Sequence, residues 1–408
     1  MSTNPVQLPT ASISAPASTY LDALRAIAAN LVVVAHVLLL YFPNQYVYRG
    51  GSLGVVIFFL LSGFLITQSM LNRAASPGPG LPAFLADRVA RIMTPFVPVL
   101  ILVVLLNAAF IESHFGGAGL NRGLAAFVGN FLMLHDHPFF QALDIAHFDT
   151  WWRIRPYNTA EPFWTVAVEF WLYAAVGLGF FCVLRGERIR RSYLWGLATV
   201  SLPVLVWNCV AGGGEVLTLV WMVGAIAAYL LARLAAADAK VHWRLLAACL
   251  IGCGALALAA RIKTSGFEPY DLQIAVLIGI VMFGVLIALN RVERVSRWVA
   301  TPGNFFASYS YSLYLTHNTI LVLMFQYTRS LPKPLSIVIG VLTAQFLAWA
   351  VYMAFERHYR SVGRWLRPIF SRLMSPRSDG RVLQPAVPPQ WSHRLRAPFR
   401  RVSRSGAG

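Results

Sequence analysis

Charged residues are scarce in this 408-residue chain: Asp, Glu, Lys and Arg together make up 12% of it, and the acidic residues number only 16. Hydrophobic residues make up 57%, and the mean hydropathy is +0.61. Since soluble domains carry about 25% charged residues, this composition excludes an ordinary soluble domain. Apolar runs of bilayer-crossing length instead predict an all-α, polytopic integral membrane protein.

Cysteine is also scarce, and no metal site is expected. The four cysteines all lie in apolar runs, and Cys249 and Cys253 have no His or carboxylate beside them. Small apolar packing is therefore their expected role, and no disulfide framework is predicted. His135-Asp136-His137 is a run of potential ligands, but its spacing is typical of no particular metal centre.

The two ends of the chain differ in charge. Residues 1–20 contain no charge and are rich in Ser, Thr, Pro and Ala, which predicts a disordered cytoplasmic tail and not a cleaved signal peptide. Residues 357–408 hold twelve of the 34 Lys and Arg but one acid, Asp379. Such a tail favours anionic lipid headgroups over nucleic acid. We predict a membrane domain over 21–360 and a basic Pro/Arg-rich cytoplasmic tail over 361–408.

Ten apolar runs are long enough to cross a bilayer. They lie at about 24–42, 52–71, 92–111, 164–184, 193–211, 216–234, 245–260, 272–290, 304–328 and 335–355. With the N-terminus inside, the inner connections carry more Lys and Arg than the outer ones, so both termini are predicted to be cytoplasmic.

The longest outer connection is predicted over residues 112–163. Its run at 124–134 is too short to cross and is expected to be interfacial or re-entrant. Trp151 and Trp152 stand beside Asp149. Aromatic rings beside a carboxylate suit the faces and hydroxyls of sugars.

The first span, Leu21–Phe42, carries Arg25 and His36 eleven residues apart. Eleven steps of about 100° return to within about 20° of one helix face, and the two side chains stand roughly 16 Å apart along it. An imidazole near mid-bilayer is costly unless it faces a cavity or a partner. We therefore predict a functional role for His36; the alternative is a buried histidine hydrogen-bonded to a neighbouring helix.

Further motifs place polar residues along other spans. They are the small pair Ser62-Gly63, following Gly51 and Gly54; Arg88-x-x-Arg91; Glu169 within FWTVAVEFWLY; Ser310 and His317 within SYSYSLYLTH; and Glu356 in Phe-Glu-Arg-His. Small residues permit close helix packing. Two arginines at i and i+3 share a face and suit phosphate, although the positive-inside rule also places arginines there. A carboxylate in the membrane needs a partner, and Glu356 is predicted to form a structural ion pair.

Taken in this order, the motifs resemble the bacterial membrane acyltransferase-3 family, the multi-span O-acyltransferases of surface polysaccharides. The resemblance extends from about Tyr20 to Arg360. It implies transfer of an acyl group, expected to be acetyl, from cytoplasmic acyl-coenzyme A to a hydroxyl of an extracytoplasmic or lipid-linked glycan. It also implies a multi-pass protein of the bacterial inner membrane. Phe170 and Trp171 stand where the family often has acidic or amide residues.

The resemblance and the chemistry together assign candidate roles to eight residues. The set comprises catalytic candidates His36, Arg25 and Glu169, acyl-coenzyme A ligands Arg88 and Arg91, and acceptor or oxyanion candidates Ser62, Ser310 and His317. Acyl-coenzyme A is the expected co-substrate, with no permanently bound cofactor. His36 would either deprotonate the acceptor hydroxyl or take the acyl group covalently. A transporter or flippase for a glycan or lipid-linked precursor is the alternative, and a membrane-embedded sensor or scaffold is a third.

Overall fold

The computed structural model describes residues 12–43, 49–74, 80–111, 121–145, 153–210, 216–236, 242–292 and 297–376. Within these ranges the chain forms fourteen α-helices and no β-strand, which agrees with the predicted all-α class. The helices are α1 (Ala15–Tyr41), α2 (Arg49–Ala74), α3 (Leu81–Ala109), α4 (Gly123–Phe131), α5 (Pro138–Ile145), α6 (Phe163–Gly177, continued by a π-helical segment Leu178–Leu184), α7 (Arg191–Val210), α8 (Leu217–Ala236), α9 (Trp243–Ser265), α10 (Leu272–Leu289), α11 (Arg297–Ser308), α12 (Ser310–Tyr327), α13 (Lys333–Ala354) and α14 (Tyr359–Met374).

Nine helical segments among the described residues are long and apolar enough to cross a membrane, which confirms a polytopic membrane protein. The predicted span 304–328 is the exception. It is broken at Tyr309 into α11 and α12, and α12 is not among the nine. The polar stretch Thr316–Thr319 interrupts its apolar run, yet all four of these residues are buried. Neighbouring helices, and not lipid, surround this part of α12.

Helix α2 lies between α1 and α8, and glycines set both contacts. A Cβ atom on Gly54 would lie 2.6 Å from the carbonyl oxygen of Ala28 in α1. A Cβ atom on Gly63 would overlap the carbonyl oxygen of Trp221 in α8. The prediction that these small residues mark close helix approach is therefore confirmed.

Helices extend beyond both ends of the predicted membrane domain, 21–360. Helix α1 already begins at Ala15, because Ser14 accepts a hydrogen bond from the Ala17 amide and proline stands in the first turn. At the other end, α14 continues the fold to Met374. Its Arg367 donates two hydrogen bonds to Asp87 of α3, so the first part of the predicted basic tail is packed helix.

The outer connection contains short helices. Helix α4 has nine residues, too few to cross a bilayer, as predicted. His135 donates from Nε2 to the carbonyl oxygen of Phe163 at 2.7 Å and is buried. No group of three potential metal ligands occurs among the described residues. Asp149, Trp151 and Trp152 lie outside the described residues.

Electrostatics in this connection favour a structural role. Burial lowers the pKa of the His135 imidazole to about 4, so the ring is neutral at physiological pH. Burial likewise lowers the pKa of His137, whose Nε2 lies 2.9 Å from the carbonyl oxygen of Val200 in α7. Burial raises the pKa of Asp136 although Arg153 lies 3.4 Å away. The two histidines thus anchor the connection to α6 and α7.

Candidate active site

Helices α1, α2, α3, α6 and α12 enclose a cavity of about 160 Å³. Six of the eight predicted site residues line it, each from one of these helices: Arg25, Ser62, Arg88, Arg91, Glu169 and Ser310. The rest of the wall is mostly apolar and aromatic, with Phe58 and Phe59 on α2 and Tyr311 and Tyr314 on α12. Motifs far apart in the chain thus meet around one space.

A second cavity, of about 340 Å³, shares the three arginines with the first. Its other lining residues include Asp22, Asn304 and Tyr359. The arginines therefore stand between a polar space and a more apolar one. Such an arrangement suits a ligand with a polyanionic part and an uncharged part.

The three arginines differ in how their charges are balanced. Arg25 lies 2.9 Å from Asp22, one turn earlier in α1. Arg91 lies 2.7 Å from Glu356, which is wholly buried. For Arg88, no carboxylate within the described ranges is at ion-pair distance.

The residue before Arg88, Asp87, forms ion pairs with two other arginines. Asp87 lies 2.6 Å from Arg73 and 2.8 Å from Arg367. The Nε atom of Arg88 is buried without a hydrogen-bond partner, and its guanidinium lies 5.8 Å from the ring centroid of Phe84. A buried N–H group without an acceptor is costly, so this side chain is poised to bind an anion.

Glu169 has the partner that a membrane carboxylate requires. The hydroxyl of Tyr173 donates to Oε1 of Glu169 and lies 2.8 Å from Ser62 Oγ. The indole of Trp221 in α8 donates to the same Ser62 oxygen at 3.1 Å. Sequence reasoning missed Tyr173 and Trp221 as site residues. The i, i+4 spacing of Glu169 and Tyr173 could have indicated the first, but nothing local indicates the second.

His36 and His317, the remaining two predicted residues, contact each other. Both imidazoles are buried; their ring centroids lie 4.8 Å apart with the planes at 75°, and His36 Nδ1 lies 3.4 Å from His317 Nε2. His36 Nδ1 is also 2.9 Å from the carbonyl oxygen of Val32. Since His317 belongs to α12, this contact fits the alternative, a buried histidine hydrogen-bonded to a neighbouring helix, as well as a functional role for His36.

The hydrogen bonds assign the tautomers of the neutral pair. His317 Nδ1 lies 2.9 Å from the carbonyl oxygen of Tyr314 and 3.0 Å from that of Leu313, so Nδ1 carries the proton and Nε2 accepts. Nδ1–H of His36 then faces two acceptors, the carbonyl oxygen of Val32 at 2.9 Å and Nε2 of His317 at 3.4 Å. Consequently the lone pair of His36 is on Nε2, the arrangement that a general base or a nucleophile needs.

Neither imidazole lines either of these two cavities. Tyr314 stands between them. It lines the first cavity, its hydroxyl lies 2.6 Å from Thr165 Oγ1, and its ring centroid is 5.9 Å from that of His317. Tyr314 therefore lies between the first cavity and His317.

The segment before α6 approaches the imidazoles from the other side. Asn318 donates to the carbonyl oxygen of Thr159 at 2.7 Å, and the Thr159 hydroxyl donates to Thr319 at 2.9 Å. Glu161 is exposed and close enough to His36 for a Coulombic interaction. Polar groups and a carboxylate near the imidazoles suit a hydroxyl-bearing ligand.

Comparison with known proteins identifies a family. The family model described as an acyltransferase domain matches residues 18–353. Similar curated proteins occur in Staphylococcus aureus strains COL, MSSA476 and MRSA252; each is 28% identical over 200 residues, which is 46% of this chain and 29% of the relative. Their names assign them provisionally as O-acetyltransferases.

The match covers less than a third of the length of those relatives. No solved structure matches the chain significantly. The family model, in contrast, covers most of the chain and all eight candidate residues. This multi-pass membrane protein therefore belongs to the acyltransferase-3 family.

Proposed function

We propose that this protein is a membrane O-acyltransferase that moves an acetyl group from acetyl-coenzyme A to a hydroxyl of an extracytoplasmic or lipid-linked glycan. One observation carries the proposal. Helix α1 holds Arg25 in the arginine-lined cavities and, three turns further along, His36 against His317. A polyanion site and a proton-transfer site thus share one helix.

Donor binding belongs to the arginine end. Coenzyme A carries several phosphate charges, and arginine donates paired hydrogen bonds to phosphate. Arg25, Arg88 and Arg91 line both cavities, so the nucleotide would lie in the polar cavity and the acyl-pantetheine arm in the apolar one. With both termini cytoplasmic, as the distribution of Lys and Arg predicts, this end faces the cytoplasmic pool of coenzyme A.

Proton transfer belongs to the imidazole pair. Nε2 of His36 takes the proton of the acceptor hydroxyl while that oxygen attacks the thioester carbonyl carbon. The C–S bond then breaks, coenzyme A leaves as thiolate, and the imidazolium returns the proton to sulfur. The carbonyl oxygen of Val32 and Nε2 of His317, 2.9 Å and 3.4 Å from Nδ1 of His36, stabilise the imidazolium. In a second route, Nε2 first takes the acyl group covalently.

The cavity wall offers oxyanion candidates whose hydroxyls are already engaged. Ser310 Oγ donates to the carbonyl oxygen of Ala307 at 2.9 Å. Ser62 Oγ is held between Tyr173 and Trp221. Either hydroxyl would have to exchange a bond to stabilise a tetrahedral intermediate. Glu169 acts at this wall by orienting Tyr173.

Location and acceptor follow from the family resemblance. A bacterial inner membrane supplies lipid-linked glycans on one side and acyl-coenzyme A on the other. Helix α14 exposes Trp365 among arginines, a pattern that favours the lipid interface, and the basic residues beyond it suit anionic headgroups. The relatives' names favour acetyl as the acyl group.

The test compares surface polysaccharide by mass spectrometry in cells that lack the protein, produce it, or produce His36→Ala or His242→Ala. His242 is exposed and precedes α9, so it is the matched control. We expect loss of an acetyl mass from a glycan in the deletion and His36→Ala strains only. Unchanged acetylation in both would refute the proposal, and reduced glycan amount with acetylation retained would favour a transporter.

A further inference from the structure

Glu356 is a wholly buried carboxylate at the junction of α13 and α14. It lies in a single 3₁₀ turn, Glu356–His358. A carboxylate removed from water is unfavourable unless charge and hydrogen bonds satisfy both oxygens. Its contacts therefore show which parts of the fold it holds together.

Each oxygen of Glu356 contacts a different helix. Oε1 lies 2.7 Å from Nη1 of Arg91 in α3. Oε2 accepts from the Ser312 hydroxyl at 2.6 Å and from the Ser312 backbone N–H at 3.1 Å. Ser312 is in the first turn of α12, where N–H groups lack intrahelical acceptors and the helix dipole favours an anion. Glu356 thus caps α12 from outside the helix.

Arg91 is packed as part of this junction. Its guanidinium lies 5.6 Å from the ring centroid of Tyr311 and 4.8 Å from that of Tyr359. Its charge is balanced by Glu356, whereas Arg88, one turn earlier, has no such carboxylate in the described part of the chain. Both arginines line the cavities, but among the described residues only the charge of Arg91 is balanced by a carboxylate.

Helix α12 carries the groups that this junction positions. Tyr314 lies on the cavity wall two residues after Ser312, and His317, five residues after it, contacts His36. A shift of the α12 N-terminus would therefore displace His317 relative to His36. Misplacement of a reacting group by about 1 Å can reduce a rate by about 100-fold.

We infer that Glu356 is a positioning residue: through Arg91 and Ser312 it fixes α12 against α3, and so aligns His317 with His36. This revises the donor site given above: of Arg88 and Arg91, Arg88 supplies the charge that binds the donor phosphates, because the charge of Arg91 is balanced by Glu356. The inference rests on the proposed function, because it assumes that acetyl-coenzyme A is the donor.

The test uses the full chain purified in lipid nanodiscs. Calorimetry gives the Kd and stoichiometry of acetyl-coenzyme A. The turnover rate is that of donor hydrolysis, in which water replaces the acceptor hydroxyl and acetate and the free thiol are released, measured as thiol release at saturating donor. Comparison with S-acetylpantetheine, which lacks the nucleotide phosphates, gives the preference for those phosphates. The variants are Glu356→Gln, Arg91→Gln, their combination, Arg88→Gln, and Ser312→Ala.

We expect Glu356→Gln and Arg91→Gln each to lower turnover by about tenfold or more, within the loss that misplacement can cause. In both variants the Kd of acetyl-coenzyme A should stay within about threefold of that of the unaltered protein, with unchanged stoichiometry and phosphate preference. The double variant should turn over no more slowly than the slower of the two single variants. A mere loss of folded protein would instead reduce the stoichiometry. Arg88→Gln should show the opposite pattern: the Kd of acetyl-coenzyme A should rise, and the preference for acetyl-coenzyme A over S-acetylpantetheine should be lost.

The inference is overturned if Glu356→Gln loses the phosphate preference as Arg88→Gln does, or if it retains full turnover. Ser312→Ala provides the answer should Glu356→Gln fail to fold, because it removes the 2.6 Å contact and keeps the ion pair. It should lower turnover with Kd unchanged; full turnover would overturn the inference. If the unaltered protein binds no acetyl-coenzyme A, the proposed donor itself is wrong, a result distinct from these.

Discussion

Replacement of Arg88 by glutamine tests the donor site most directly. The substitution removes a charge that has no ion pair within the described chain and a buried Nε–H without an acceptor. The fold should therefore lose little. Each hydrogen bond from a charged group contributes about 1.5–3 kcal/mol. Since about 1.4 kcal/mol corresponds to tenfold, we expect the Kd of acetyl-coenzyme A to rise by about 10- to 100-fold.

The measurement is calorimetric titration of acetyl-coenzyme A into the purified protein, repeated at two salt concentrations. Arg188→Gln is the matched control, because Arg188 is exposed and lines neither cavity. The unaltered protein should bind more weakly as salt rises, since screening weakens the attraction between Arg88 and phosphate. The Arg88→Gln protein should show less of this dependence.

Two results would refute the reasoning. A Kd within about twofold of the unaltered protein would mean that Arg88 does not contact the phosphates, because even one charged hydrogen bond contributes more. An equal loss of affinity in Arg188→Gln would mean that only the net charge of the protein attracts the donor.

Three further predictions concern catalysis and stability. His36→Ala should lower the rate of acetyl transfer, measured as thiol release, by about 10²- to 10⁴-fold, the usual contribution of a general base. His242→Ala should leave that rate unchanged. Gly63→Ala should lower the Tm of the purified protein, since the added methyl group overlaps a backbone oxygen and overpacking costs about 1–3 kcal/mol. Gly252 is on α9 with open space around it, so Gly252→Ala should leave the Tm unchanged or raise it. An equal fall in Tm in the two variants would contradict the packing argument. Because burial lowers the pKa of His135 from 6.5 to about 4, the unfolded chain takes up a proton that the folded chain does not. Stability should therefore decline from pH 6.5 to pH 4, by about 2 kcal/mol at pH 5. His135→Gln, which can still donate but does not titrate, should show less of that decline in thermal unfolding.

The helices were largely predictable because membrane insertion imposes a simple rule on sequence. A run of about 20 apolar residues satisfies its own backbone hydrogen bonds as a helix. The sequence did not predict the break of the span 304–328 at Tyr309, after which α12 carries buried polar residues that an apolar run lacks. The helical start at Ala15 was also missed, since a serine cap and a proline resemble a disordered tail in composition.

The candidate site was predictable as residue types and not as contacts. A polar side chain in a span is costly, so Arg25, His36 and Glu169 stood out from the sequence alone. Their partners did not: His317 meets His36 across 281 positions, and Arg91 meets Glu356 across 265. The role of Trp221 likewise depends on the approach of α8 to Ser62.

The sequence by itself therefore determined the all-α membrane class, the family, and which side chains must find partners within the protein. Hydrophobic length and the cost of burying charge are local properties, so the linear chain expresses them. Only the tertiary structure decided that Arg88 is left without a carboxylate in the described chain, that Arg91 is paired, and that Tyr314 separates the cavity from the imidazoles. Charge balance and proton position depend on distances of about 3 Å between helices. Packing sets those distances, and no local pattern encodes them.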